Sequence, residues 1–258
     1  MVLRVKGTWV LLAMAAGNCL YGNVIRTPRA EFRHVYALNP NGRVVIQNVY
    51  GDVSITAWDR DEVLVEAIKR APDSRRLDDA QIVVEPSAEL LSIRTQYAGA
   101  DAEHPATVEY RIMVPRTANL ENVRLINGGL SISGLAGPVK ATAVNGSIRA
   151  LRLEGQADLS TVNGQLEADF QRISRSKPIS LSSVNGPIKL FLPCGAGASL
   201  DARNLSGGIE SDIGRVTRAT GGHRLVVRGG GVQIRLHNVN GGISIRSGLL
   251  RRFERAAT

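Results

Sequence analysis

The chain has 258 residues, a formal net charge of +9 and 43% hydrophobic residues, a content that excludes a disordered or fibrous polypeptide. The length allows one or two domains with a substantial core, and no apolar run is long enough for a membrane-spanning helix. With 27 glycines and only 4% aromatic residues, the composition argues against a helical bundle and for short strands joined by tight turns.

In chain order, Arg4 and Lys6 precede an apolar stretch over residues 9–16, followed by small residues at Ala15, Ala16 and Gly17. A basic segment, a short apolar segment and a small-residue site predict an export signal over residues 1–22, cleaved near 17–22. A buried strand or helix is the alternative. Cys19 raises lipidation, but Asn18 stands before it where such sites carry a small residue. The only other cysteine is Cys194, so no disulfide framework is expected. The expected location is therefore outside the cytoplasm: periplasm, outer surface or secreted.

Residues 31–117 read as a less regular β half. Val44, Ile46, Val49, then Gly51, Val53 and Ile55 form one apolar unit, and strand-like runs follow at 62–68, 81–85, 90–96 and 108–114. The polar stretch 72–80 between them predicts a loop or one helical turn.

Residues 118–246 carry a repeat. Written in nines from Asn127 the chain reads NGGLSISGL, AGPVKATAV, NGSIRALRL, EGQADLSTV, NGQLEADFQ. Apolar residues fall mostly two, four and seven positions after each glycine, so each nonad predicts a short strand with one buried face, then a turn. The stronger period is 18, because Asn127-Gly128, Asn145-Gly146, Asn163-Gly164 and Asn185-Gly186 form one column. Two strands and two turns per period predict a coil of a β-solenoid, parallel β-helix-like, with 18–22-residue coils stacked through that turn column. An antiparallel meander shares the nine-residue spacing, but two-unit identity favours stacked coils. The predicted inward columns are Val144, Val162, Val184 and Ile148, Leu166, Ile188. The predicted outward pairs are Lys140 with Asp158 and Arg149 with Glu167.

From Asn163 to Asn185 the period lengthens to 22, which places four extra residues between about 168 and 178. Ser206-Gly207 continues the column 21 residues on, and Asn240-Gly241 follows after 34. Glycines at 221–222 and 229–231 in that last gap predict an added hairpin. The end, residues 247–258, is a basic tail with Arg251, Arg252 and Arg255, where contact with an anionic envelope surface is one expectation. A solvated end is the other.

The run Gly51 to Ala67 (GDVSITAWDRDEVLVEA), the segment Tyr110 to Pro115 (YRIMVP) and the Asn-Gly repeats closing in Val184 to Pro193 (VNGPIKLFLP) resemble a bacterial family of putative adhesins of unknown function. The resemblance spans roughly residues 31–213. It implies an exported, all-β, solenoid-like protein and transfers no catalytic residue.

Chemistry-bearing residues do not converge in the sequence. Glu167 and Asp169 share a predicted outward face, which is the arrangement a carbohydrate-active β-helix enzyme would need, but Arg149 and Lys140 balance them as a solvated face. His34, His104, His223 and His237 lack ligand spacing, and the nonads lack a calcium-loading pattern. Gly229 to Gly231 lacks the residues that complete a phosphate loop, so no nucleic-acid partner is expected. No residue is assigned to catalysis, cofactor or metal, and no cofactor is expected. The expectation is a non-enzymatic interaction or scaffold module of the cell envelope, adhesin-like, whose partner is an envelope or extracellular protein or polysaccharide. The alternative is a periplasmic stress or regulatory component that binds another protein.

Overall fold

Alternation of apolar and polar residues sets the strands, and a computed structural model places them. It describes residues 28–97, 106–195, 197–213, 216–219 and 222–248. The expected signal segment, Cys19, His104 and tail residues 249–258 lie outside the described residues.

In chain order the strands are β1 (Arg29–Ala37), β2 (Arg43–Tyr50), β3 (Val53–Trp58), β4 (Glu62–Arg70), β5 (Ala80–Pro86), β6 (Leu90–Tyr97), β7 (Thr107–Pro115), β8 (Asn119–Asn127), β9 (Leu130–Ser133) and β10 (Val139–Asn145). They continue as β11 (Ile148–Leu153), β12 (Ala157–Asn163), β13 (Leu166–Phe170), β14 (Ile179–Asn185), β15 (Ile188–Leu192), β16 (Ala198–Ser206), β17 (Ile209–Ser211), β18 (Val216–Ala219), β19 (Gly222–Arg228), β20 (Val232–Asn240) and β21 (Ile243–Ser247). The polar stretch before β5 holds one 3-10 helix, Ser74–Asp79, whose start is capped by the Asp73 side chain accepting from the Arg75 amide.

Among the described residues the strands form two open, mixed sheets. The ten-stranded sheet runs β1-β4-β7-β3-β9-β11-β13-β15-β21-β17, and the eleven-stranded sheet runs β18-β19-β16-β20-β14-β12-β10-β8-β2-β6-β5. From β8 to β17 successive strands alternate between the sheets, so each pair forms a two-strand unit that bridges them. Within each sheet these strands pair in parallel, at the sequence periods. Ala141 lies beside Leu159, Leu159 beside Leu181, Ile148 beside Leu166, and Leu166 beside Ile188. Antiparallel strands close both ends, β5, β4 and β1 on one side and the β18–β19 hairpin on the other. The hairpin fills the 34-residue gap, and the segment between β13 and β14 holds the four-residue insertion.

The two sheets bury one continuous apolar core between them. Inward rows run across the strands: Ala141, Leu159, Leu181, Leu236 and Ala202 from one sheet, and Ile148, Leu166, Ile188 and Ile243 from the other. Parallel strands joined by sharp corners bring backbone close to backbone there. A methyl group on Gly146 would sit 2.6 Å from the Gly128 carbonyl carbon, so the corner column admits only glycine at that point.

One inward row near the corner is polar. It contains Thr95, Asn48, Thr161, Ser183, Asn238 and Asn204, all buried, interrupted by Leu125 and Ala143. Most of these side chains bond the carbonyls of the corner. Asn48 Nδ2 donates to the Gly51 and Val108 carbonyls at 2.9 Å, Thr161 Oγ1 to Gly146 at 2.9 Å, and Asn204 Nδ2 to Gly241 at 2.7 Å. At the first units the Thr95 hydroxyl also meets the Tyr110 hydroxyl at 2.8 Å. Burial pushes the Tyr110 phenol up to about 12, against a smaller opposing effect of that hydrogen bond.

One expectation is corrected. Val144, Val162 and Val184 are not inward: Val144 and Val184 are more than a third exposed, Val162 is partly exposed in the same row, and the buried position is one residue earlier, at Ala143, Thr161 and Ser183. Strict alternation from Val139 fixes this phase, since residues 139, 141 and 143 must share a face. The spacing of seven holds only on the other sheet, where Leu135 and Leu153 are buried beyond the ends of their strands' alternation. The order of the units is a finding that the sequence reading did not address. The unit β20–β21 does not stack beyond β16–β17; it lies between β14–β15 and β16–β17.

Candidate interaction face

The phase that buries Ala143 turns Val144 outward, and the parallel register repeats that choice on every strand. Val49, Ile126, Val144, Val162, Val184, Val239 and Leu205 therefore line up on the outer face of the eleven-stranded sheet. Four of them are well exposed: Ile126 at 45%, Val144 at 37%, Val184 at 38% and Leu205 at 59%. Across strands about 4.8 Å apart this aliphatic stripe is about 29 Å long. A single exposed valine is ordinary on a protein surface; seven in one row form a continuous apolar ridge.

Polar rows flank the ridge. On the corner side stand the turn-column asparagines. Asn145 Nδ2 donates to Asn127 Oδ1, Asn163 to Asn145, Asn185 to Asn163 and Asn240 to Asn185, each at 2.9 Å. The result is an exposed amide ladder in which every interior member donates once and accepts once. The partner glycines Gly128, Gly146, Gly164 and Gly186 form the backbone floor beneath it, their amides donating to the Asn carbonyl of the next unit. On the far side lies a row of Gln47, Arg124, Thr142, Ser160, Ser182, His237 and Arg203. Beyond it come Lys140 beside Asp158 in register, then Ser180, Arg235 and Asp201. Asp201 receives Arg203 at 3.0 Å and Arg224 at 3.2 Å, and the Arg203 hydrogen bond is the chief reason its carboxyl is held below the usual range. The face thus presents an amide row, an aliphatic row, a polar row with hydroxyls at its centre, and a row of mixed charge, all in parallel.

The carboxylates that a glycosidase would need are engaged elsewhere. Glu167, on the outer face of the other sheet, pairs with Arg149 at 3.4 Å and accepts from Gln165 at 3.3 Å. Asp169 is not on a solvated face but 5% exposed, and its Oδ2 accepts the Arg152 backbone N–H at 3.2 Å. Arg152 has φ 54°, the left-handed region, so Asp169 secures a sharp backbone turn. His34, His223 and His237 sit on β1, β19 and β20. Among the described residues no group of three or more His, Cys, Asp or Glu side chains is arranged to hold a metal ion.

Sequence reasoning missed Glu154. It is 7% exposed at the corner opposite the asparagines, where Arg116 reaches it at 2.8 Å and Arg172 from the four-residue insertion caps it. Lys177 of the same segment donates to the Glu154 and Ala136 carbonyls at 3.3 and 3.4 Å. Burial pushes the Glu154 carboxyl up, but hydrogen bonds and charge from Arg172 and Arg116 outweigh it and hold the group below its ordinary value. The available signal was an acidic residue where the other nine-residue units begin with Asn or Ala.

No protein-family model matches the chain, and no curated protein matches it. Solved structures similar to it are putative adhesins from several bacteria. A putative cell adhesion protein from Clostridium sporogenes is 10% identical, with 84% of this chain and 100% of that chain covered and a TM-score of 0.48. A putative adhesin from Bacteroides fragilis is 9% identical over 84% of this chain and 97% of that chain, at a TM-score of 0.46. One from Parabacteroides merdae is 10% identical over 84% and 96%, at 0.38.

Proposed function

We propose that this chain is a non-enzymatic interaction module of the cell envelope, adhesin-like, that works through the outer face of its eleven-stranded sheet. The observation that carries the reading is the aliphatic ridge bounded by the amide ladder. In this reading the two-strand units are coils of a β-solenoid, and a solenoid is suited to the task because its outward rows can vary while its inward rows keep the core. Support for the solenoid comes from parallel register at intervals of 18 and 22 residues and from the turn column, whose asparagines pin one coil to the next. The ridge, the hydroxyl row and the arginines would contact an envelope or extracellular protein or polysaccharide. Glu167 and Asp169 act structurally, on Arg149 and on the Arg152 backbone.

The experiment is protease treatment of intact cells carrying a tagged chain, combined with envelope fractionation. Loss of the tag from whole cells is the expected result. Protection until the outer barrier is opened would overturn the adhesin reading and move the search to periplasmic protein partners.

A further inference from the structure

Among the described units β20–β21 comes last in chain order, yet it lies between two units that precede it in the chain. On one side β20 pairs with β14, placing Ile234 on Ile179, Leu236 on Leu181 and Asn240 on Asn185. On the other it pairs with β16, placing Ile234 on Leu200 and Leu236 on Ala202. In the second sheet Ile243 lies between Ile188 and Ile209. The two flanking units are consequently in register with each other through the inserted one, apolar row against apolar row.

Two further features bear on how firmly the insert is held. Its one buried amide, Asn238, is fully enclosed between Ser183 and Asn204, and neither its Nδ2 nor its Oδ1 has a hydrogen-bond partner; Asn204 Oδ1 also lacks one. Buried polar atoms without partners are rare, and among the described residues three of the six lie at this insertion. The insert is tethered through Gly229, Gly230 and Gly231, with φ of 67° and 85° at the last two. Three glycines can extend to about 10 Å and reorient freely.

From these observations we propose that β20–β21 is an exchangeable element: the unit of one copy of the chain enters the slot of a second copy, the glycine tether serving as the hinge. The partner is a second copy because the slot requires two parallel strands with apolar residues at the spacing of Ile234, Leu236, Ile243 and Ile245, joined by an Asn-Gly corner, and the chain itself supplies that segment. The proposal stands apart from what the outer face binds.

Crosslinking of full-length chains tests it, in a Cys19→Ser, Cys194→Ser background. Chains bearing Ser182→Cys and chains bearing His237→Cys, with different tags, are refolded together and treated with a short bis-thiol-reactive linker, since these positions are register neighbours about 4.8 Å apart. A mixed product that grows with protein concentration is expected. Ser160→Cys mixed with Ser182→Cys, neighbours in units stacked in sequence order, is expected to give none. The Ser182→Cys, His237→Cys double variant should crosslink within one chain. Absence of the mixed product at every concentration, its equal formation by the Ser160 and Ser182 pair, or failure of the double variant to crosslink would each overturn the proposal.

Discussion

Gly146 shows how little freedom a corner residue has. Its Cα–H faces the Gly128 carbonyl, and a methyl there would require two stacked corners to separate. Gly146→Ala is expected to cost about 3 kcal/mol or more, at the upper end of overpacking penalties. Gly129→Ala, whose new methyl would lie an ordinary 3.5 Å from Asp52 Oδ1, is expected to stay within about 1 kcal/mol of the parent. Urea unfolding of both variants checks the contrast, and equal losses would contradict it. Glu154 makes a second prediction, this time of pH dependence. Its carboxyl is held below the ordinary value near 4.3, so it adds stability above that value and loses it as pH falls through the folded one. The arginines are largely solvated, at 47% and 72% exposed, which limits the effect to about 1 kcal/mol. Glu154→Gln is therefore expected to be less stable than the parent at pH 7 and to converge with it in acid, once the pH has fallen through the lowered folded value. A gap that persists in acid would exclude the ionised carboxyl as its source.

Between strands, the asparagine ladder is the repeating device. Asn163 takes part in two of its bonds and Asn127 in one. Asn163→Ala is expected to cost about 1–2 kcal/mol and Asn127→Ala about half as much, because each exposed amide bond contributes about 0.5–1.5 kcal/mol net. Unfolding midpoints of the two variants measure the ratio, and an equal effect would mean the ladder does not act as a chain of bonds. Much of this level was legible in the sequence. The period of 18, the inward row Ile148, Leu166, Ile188 and the pair Arg149 with Glu167 all follow from spacing alone. Val144 was misread because a valine two residues before the next glycine looks like core, whereas the true inward neighbours Ala143, Thr161 and Ser183 are small or polar and carry no hydrophobic signal. Their burial is made possible by backbone carbonyls at the corner, which bond the Thr161 and Ser183 hydroxyls at 2.9 and 3.3 Å and which no side-chain pattern reveals. The position of β20 was illegible for a different reason. Ser206-Gly207-Gly208 and Asn240-Gly241-Gly242 are equally permissive corners, and nearest-in-sequence is the usual spatial neighbour. Three-dimensional pairing selects the asparagine unit to extend the ladder from Asn185, and leaves the serine unit outside it.

Over the whole molecule, two sheets with one shared core leave two broad outer faces, and the functional reading rests on their difference. The ten-stranded face carries charges that are paired locally, such as Arg149 with Glu167 and Arg246 with Glu210. The eleven-stranded face carries the ridge, which contributes nothing to the core and gathers apolar area where water meets it. The candidate face could not be read from the sequence, since the same valines were assigned to the interior; only the register of seven strands makes them a surface. The measurement that decides the matter is retention on washed envelopes of the expressing cells, comparing the parent chain with Ile126→Thr, Val144→Thr, Val184→Thr and Leu205→Thr combined. Threonine keeps strand preference and, for valine, the side-chain shape, so the fold is expected to survive with an unfolding midpoint close to the parent's. Loss of retention by a folded quadruple variant is the result predicted. Retention equal to the parent's would contradict the assignment of this face as the interaction surface.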